Sequence, residues 1–234
     1  LTANTEGSDN VCIGSESLES NTTGDHNIAL GSVCLESNTS GHNNVAFGYR
    51  TLRYNTTGDH NIGIGYMALR YNTTSNCNIG IGEEALAETT GSKNVGIGAT
   101  VMRSNTSGND NVAMGYGALQ SNTTGEQNTA IGSYAGNTLT TGSYNLLIGN
   151  DADTTSNNVN NAIVIGNEAR DHGSNIVVIG NDTMTAWHPG DDNEVDLGST
   201  SYSFKDAHIQ GVIYTSTLNN GASFTLPTGQ GSNG

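Results

Sequence analysis

The chain has 234 residues, of which 33% are hydrophobic and 12% charged, and its formal charge is −15. Ordinary globular domains carry about 45–50% apolar and about 25% charged residues, so a conventional core of Leu, Ile and Phe cannot be built here. Two prolines and few charges argue against both disorder and collagen, and 7 Lys and Arg against 22 Asp and Glu leave no basic footprint for nucleic acid or an anionic membrane surface.

No run of 18 apolar residues is present, so no membrane insertion is expected. The chain begins at Leu1 without Met or a signal-peptide pattern, which reads as a fragment or a processed product. Its 32 Gly, 32 Asn and 29 Thr point instead to a repeat architecture.

Residues 1–9 read as a lead-in. From residue 10 an anchor of the form Asn-apolar-small-apolar-Gly recurs, first at Asn10, Asn27, Asn44 and Asn61. It continues at Asn78, Asn94, Asn111, Asn128 and Asn145, each step being 17 residues except the 16 from Asn78 to Asn94. Nine 17-residue units thus occupy 10–161, and two 14-residue units occupy 162–186. The second half of each unit reads small-Leu and then Asn-Thr-Thr-Gly or a variant. The alternation in the anchor is a strand signature, and Gly with the Thr-Thr-Gly segment supplies the corners. Gly, Asn and Thr are poor helix formers, and no 3.6-residue stripe exists.

A single unit is too short to bury its own apolar residues, so the units must stack. The expected fold is all-β: a parallel β-solenoid with one unit per turn. About eleven turns at roughly 4.8 Å give a rod on the order of 50 Å. The small column from Cys12 through Ala29, Ala46 and Gly63 is expected to admit another backbone closely. So narrow a roll buries both strand faces more easily when several rolls pack side by side, which predicts an oligomer. Cys12 and Cys34 are expected to stand in for Ala in the core, and Cys77 to sit in a turn where an interchain disulfide is an alternative. Trp187 to Gly190 break the repeat, and Trp187 is expected to close the end of the rod. Residues 187–214 read as a small β cap or connector, and 215–234 as a tail strand at Phe224–Pro227 with a flexible end.

The run Asn161-Ala-Ile-Val-Ile-Gly166 through Gly180 resembles the 14-residue head repeats of trimeric autotransporter adhesins. The 17-residue form, with Ala-Leu and Asn-Thr-Thr-Gly, resembles repeats in tail fibres and surface proteins of phages and large algal viruses. The segment Asp192–Tyr214 is similar to one that follows such repeats, often ahead of a self-cleaving chaperone domain that this sequence lacks. No coiled-coil stalk or membrane anchor accompanies the adhesin-like repeats, so the virus-fibre resemblance takes precedence. These resemblances imply a left-handed β-roll, a parallel homotrimer, and a non-enzymatic fibre segment or adhesin on a virion or comparable extracellular surface. Its partners would be other fibre or virion proteins and a host-surface glycan or receptor. A purely structural filament, a tailspike depolymerase and an ice-binding protein are the alternatives.

Chemistry-bearing motifs are sparse. No Gly-x-Ser-x-Gly or His-Glu-x-x-His is present, no cofactor is implied, and the Gly-Ile-Gly runs at Gly63 and Gly80 fit strands better than a nucleotide loop. Seven Asn-x-Ser/Thr sequons, at Asn21, Asn38, Asn55, Asn72, Asn105, Asn122 and Asn181, offer glycosylation. Six of them share one repeat column, where left-handed turns and side-chain ladders explain them without any sugar. Acidic loops at Asp151/Asp153 and Asp191–Asp196 lack calcium-binding spacing, so no metal is assigned. His26 and His60 fall two turns apart, too far to chelate together. The candidate ligand site is an aromatic and basic patch on two adjacent turns: Tyr49, Arg50, Arg53, Tyr54, Tyr66, Arg70 and Tyr71. Aromatic faces and guanidinium forks suit glycans, acidic sugars included.

Overall fold

The computed structural model describes residues 2–187 together with 201, 202 and 208. It divides into two units, Leu1–Thr185 and Ala186–Gly234. The first unit is an all-β parallel solenoid, and no helix is present among the described residues. Its strands are β1 (Val11–Ile13), β2 (Ile28–Leu30), β3 (Val45–Phe47), β4 (Ile62–Ile64), β5 (Ile79–Ile81), β6 (Val95–Ile97), β7 (Val112–Met114), β8 (Thr129–Ile131), β9 (Leu146–Ile148), β10 (Ile163–Ile165) and β11 (Val177–Ile179). They form one 11-stranded sheet in sequence order, every neighbour parallel and in register. The eleven strands fall where the anchors place them, including the 16-residue step before β6 and the 14-residue step before β11.

Each strand is three residues long, because the residue after it is a glycine that turns the chain. Gly98 has φ +137°, and a Cβ there would lie 2.4 Å from the carbonyl oxygen of Gly115 in the next turn. No side chain fits that approach. Three further residues per turn sit in the left-handed region, for example His26, Val33 and Leu35 at φ 57°, 62° and 49°. The leucine column Leu18, Leu35, Leu52, Leu69, Leu86 and Leu119 is left-handed throughout and wholly buried. Left-handed φ costs a residue about 1–2 kcal/mol. Burying a leucine returns about 1.5–3 kcal/mol, so stacking holds a conformation the isolated turn would abandon.

The interior is thin. The middle residue of each strand faces inward, and from β1 to β8 it is small: Ala29, Ala46, Ala113 and Ala130 are fully buried. The group that approaches this column closely belongs to the same chain. A Cβ on Gly80 would stand 3.1 Å from Leu69 Cγ and 3.1 Å from the Ala85 carbonyl. Volumes trade along the stack. Where Gly136 vacates the leucine column, Leu147 fills the strand column, and a Cβ on Gly136 would lie 2.8 Å from its Cδ1. Cys34 is buried as expected, Cys12 is half-buried against the core in the first complete turn, and Cys77 is exposed. Burial pushes the Cys34 thiol up from its usual pKa.

Asparagine ties the turns together in two ladders. In the anchor ladder, Asn44 Oδ1 accepts from the backbone N–H and the Nδ2 of Asn61 at 3.0 and 3.1 Å, and Asn44 Nδ2 donates to the Gly58 carbonyl at 2.8 Å. In the second ladder, Asn55 Nδ2 donates to Asn38 Oδ1 at 2.8 Å and to the same Gly58 carbonyl at 2.9 Å. One corner carbonyl therefore accepts from both ladders, and the pattern repeats at Gly24, Gly41, Ser75, Gly108 and Gly125. The second-ladder asparagines do not adopt the left-handed backbone that the sequence suggested for them; the residue before each anchor asparagine does.

Residues 1–9 are not a lead-in. Asn4 Nδ2 donates to the Gly7 carbonyl at 2.8 Å, and Asn21 Nδ2 donates to Asn4 Oδ1 at 3.0 Å. Thr5, Glu6 and Gly7 N–H all donate to the Thr22 carbonyl. Asn4-Thr-Glu-Gly7 is thus the second half of a solenoid turn, and its variant third residue hid it. In the second unit, Trp187 is 73% exposed. The cap strands expected in 187–214 and the tail strand at Phe224–Pro227 lie outside the described residues.

Replacing Asn44 by Ala leaves the Asn61 N–H without its acceptor, while Asn27 Oδ1 keeps the Asn44 N–H and the Gly58 carbonyl keeps the Asn55 Nδ2. At about 1–3 kcal/mol for a buried group left unpaired, Asn44→Ala is expected to lose about 1–3 kcal/mol in denaturant unfolding. The exposed Thr57→Ala is expected to change stability by less than about 0.5 kcal/mol.

Candidate functional site

The seven residues singled out as a ligand site do come together. They lie in the segments that follow β3 and β4, where the chain turns Thr51 and Leu52 inward and leaves Tyr49, Arg50, Arg53 and Tyr54 on the outside. Equivalent residues 17 apart stack. Tyr49 and Tyr66 have ring centroids 5.9 Å apart at 19°, and Tyr54 and Tyr71 are 5.2 Å apart at 17°. Arg50 lies 4.8 Å over Tyr49, Arg53 lies 4.9 Å over Tyr54, and Arg70 lies 4.8 Å from Tyr71 and 5.7 Å from Tyr54. Arg53 Nε also donates to Glu36 Oε2 at 2.6 Å, and that bond holds the guanidinium above its usual pKa. The result is a two-turn plaque of four rings and three cations on an otherwise acidic rod. Tyr49, Tyr66 and Tyr71 are more than a third exposed, so the rings present edges and faces to solvent. The backbone repeat supplies the spacing, which makes the plaque rigid before any ligand arrives.

A second surface is larger. The first and third residues of the strands point outward while the middle one points in. From Val11/Ile13 to Val177/Ile179 every outward position is apolar except Thr129. Val11, Ile13, Phe47, Met114 and Val177 are 47%, 65%, 56%, 41% and 59% exposed. Eleven strands at roughly 4.8 Å make this a continuous stripe on the order of 500 Å², within the range of the largest apolar patches of soluble monomers.

The remaining candidates resolve into structure. Asn21, Asn38, Asn55, Asn72, Asn105 and Asn122 are completely buried, and the Nδ2 that would carry a sugar donates within the ladder and to the corner carbonyl. These six sequons are therefore corrected from glycosylation sites to ladder residues. Asn181 alone is partly exposed, its Nδ2 donating to the Asn167 carbonyl at 2.9 Å. Threonine hydroxyls after the ladder asparagines donate to carbonyls one turn on, as from Thr22 to Thr39 at 2.9 Å and from Thr123 to Thr140 at 3.0 Å. They bond the stack to itself, while the second threonine of the pair, as at Thr23 and Thr57, is exposed. Asp153 is buried, its carboxylate capping Thr138 N–H and Oγ1 and pairing with Arg170 at 2.8 Å, so it is no calcium loop. Asp191–Asp196 lie outside the described residues. His26 faces Asp9 at 3.6 Å as an exposed turn residue, and His60 is likewise exposed. Among the described residues, Glu16, Glu19 and Glu36 bring carboxylate oxygens within 4.8 Å of one another, and Glu36 is already held by Arg53.

Two features escaped sequence reading. The position two before each anchor asparagine always carries a side-chain acceptor: Asp25 Oδ1 takes the Ser8 N–H at 2.7 Å, His42 Nδ1 the Asp25 N–H at 3.0 Å, and Asp59 Oδ1 the His42 N–H at 2.7 Å. The Ser8 N–H and hydroxyl hold the Asp25 carboxyl below its usual pKa. That column changes residue type at nearly every turn, and only the shared ability to accept reveals it. Tyr116 and Tyr134 also meet edge-on at 5.1 Å and 85°. Their separation of 18 residues is off the repeat period, which concealed the pair.

In comparisons with protein-family models, with curated proteins and with solved structures, the chain matches none. Material secreted in folded form from a glycosylating host is expected to carry at most one N-linked glycan, at Asn181, among the seven sequons. Intact-mass and peptide mapping that found a sugar at Asn38 or Asn55 in folded protein would contradict the ladder.

Proposed function

We propose that this chain is a shaft segment of a homotrimeric surface fibre. It acts outside the cell, on a virion, a phage tail or a comparable appendage, in host attachment and as a rigid spacer. The observation that carries this reading is the outward stripe of Val and Ile along a solenoid whose own interior is already filled. Such a stripe calls for a covering surface of the same length and the same period, and parallel copies of the same chain supply one. The resemblance to fibre and adhesin repeats favours three copies of a left-handed roll with a β cap beyond residue 186. No catalytic arrangement enters this reading: among the described residues, the three clustered carboxylates Glu16, Glu19 and Glu36 lie on the outside of the first turns beside an arginine.

Attachment is assigned to the Tyr/Arg plaque. Stacked tyrosines offer flat apolar faces to sugar rings, and the guanidinium groups offer charge to carboxylate or sulfate substituents. In a purely structural filament the same stacked rings and arginine stems would shield the rod, and saturable glycan binding separates the two readings.

An array of neutral and acidic glycans tests this. Saturable binding to acidic glycans is expected, with about a tenfold or greater loss in Arg53→Ala/Tyr54→Ala, as for loss of a cation–π and ion-pair contact worth at least 1.4 kcal/mol. An unchanged melting temperature in that variant separates lost recognition from lost fold. Equal binding by the variant, or no binding by either protein, would contradict the assignment.

A further inference from the structure

At the C-terminal end of the solenoid two aspartates do the same work one turn apart. Asp153 accepts from Thr138 N–H and Oγ1, and Asp171 Oδ1 accepts from Thr155 N–H at 2.9 Å and Thr155 Oγ1 at 2.6 Å. Both carboxylates are buried, Asp171 completely. Beyond that the two carboxylates differ. Asp153 Oδ2, which accepts the Thr138 hydroxyl, also receives Arg170 Nη1 at 2.8 Å, and Asp153 Oδ1 accepts the Thr154 N–H at 2.7 Å. Asp171 Oδ2 is sealed from solvent and has no hydrogen-bond partner among the described residues. Buried polar atoms in folded proteins are paired almost without exception, and a buried carboxylate without a compensating cation is among the costliest departures.

Asp171 lines a cleft of about 550 Å³. The same wall carries Glu168 and Asp182, both exposed and able to swing inward, together with Asn181 and Thr155. Its one guanidinium, Arg170, is already committed to Asp153. In the previous turn both carboxylate oxygens are met and a guanidinium balances the charge; here one oxygen is left unmet, and the cleft lining carries three carboxylates beside His172.

We propose that this cleft binds a divalent metal cation, Ca²⁺ in preference to Mg²⁺, with Asp171 Oδ2 as its anchor and Glu168 and Asp182 closing around it. The donors are hard oxygens, which suit both ions. They are spread around a wide opening and come from a buried side chain and two mobile ones. That arrangement matches the irregular coordination of six to eight ligands that Ca²⁺ accepts, and not the tight octahedron of Mg²⁺. Bound metal would neutralise the carboxylate that the last turn leaves uncompensated, and so brace the end of the rod.

Isothermal titration of the full chain, stripped with chelator, with CaCl2 and with MgCl2 tests the site. One saturable Ca²⁺ per chain is expected, with a dissociation constant on the order of 10⁻⁴–10⁻³ M and weaker Mg²⁺ binding. Asp171→Asn keeps an Oδ1 acceptor for Thr155 and removes the charge, so it should weaken Ca²⁺ by about tenfold or more. Asp182→Asn and Glu168→Gln alter exposed residues, leave the fold intact, and should each weaken Ca²⁺ by about threefold or more. Glu16→Gln, in the acidic group of the first turns, should change nothing. Absence of saturable Ca²⁺ binding overturns the proposal, as does undiminished binding in Asp171→Asn or a loss in Glu16→Gln. If Asp171→Asn fails to fold, unchanged affinity in both Asp182→Asn and Glu168→Gln overturns it equally.

Discussion

The structure depends on one shared acceptor. At each corner a backbone carbonyl such as that of Gly58 takes two Nδ2 donors, one from each asparagine ladder. Both lone pairs are used, and both donors arrive from fully buried side chains whose own oxygens, along most of the stack, accept from the next turn. A backbone with few regular strand bonds would otherwise leave these corner groups unpaired inside the roll. Satisfying them with asparagine fixes the step between turns. The step in turn brings the glycines after the strands within reach of one another, where no Cβ fits, and holds the leucines in a left-handed conformation that burial alone can offset.

From that constraint follows the unusual composition. The interior is one leucine and one small residue wide, so little oil is needed to fill it. Most of the remaining aliphatic side chains sit on the outer face of the sheet, where the roll itself gives them nothing to pack against. The positive charge is equally localised. Three of five arginines stand on neighbouring turns, and each is laid on a tyrosine ring. The basic plaque is therefore a local reversal of the acidic net charge, and Glu36, one turn earlier in the same column, pairs with Arg53.

Period made most of the fold legible. Strand positions, the parallel register, the 16- and 14-residue steps and the stacking of Tyr49 on Tyr66 and Tyr54 on Tyr71 all follow from aligning residues that repeat. What stayed hidden depended on direction or on residue class. Alternation in the anchor marks two faces without saying which is inside, and the small residues, not the large ones, turned out to be interior. Asn21 and its equivalents read as sequons because three-residue motifs carry no information about burial. Asn4 lay in register but was masked by Glu6 in place of threonine. Asp171 gave no signal at all, since its significance lies in one buried oxygen that nothing among the described residues reaches.

The central claim is that the outward Val/Ile stripe is an interface and that the isolated chain is incomplete. Multi-angle light scattering on the purified protein tests it most directly. The account predicts a single species of three times the 24.2 kDa chain mass, reduced to one chain when Ile64 and Ile97 on that face are both replaced by Asp. A stable, monodisperse species of one chain mass for the unaltered protein would contradict it.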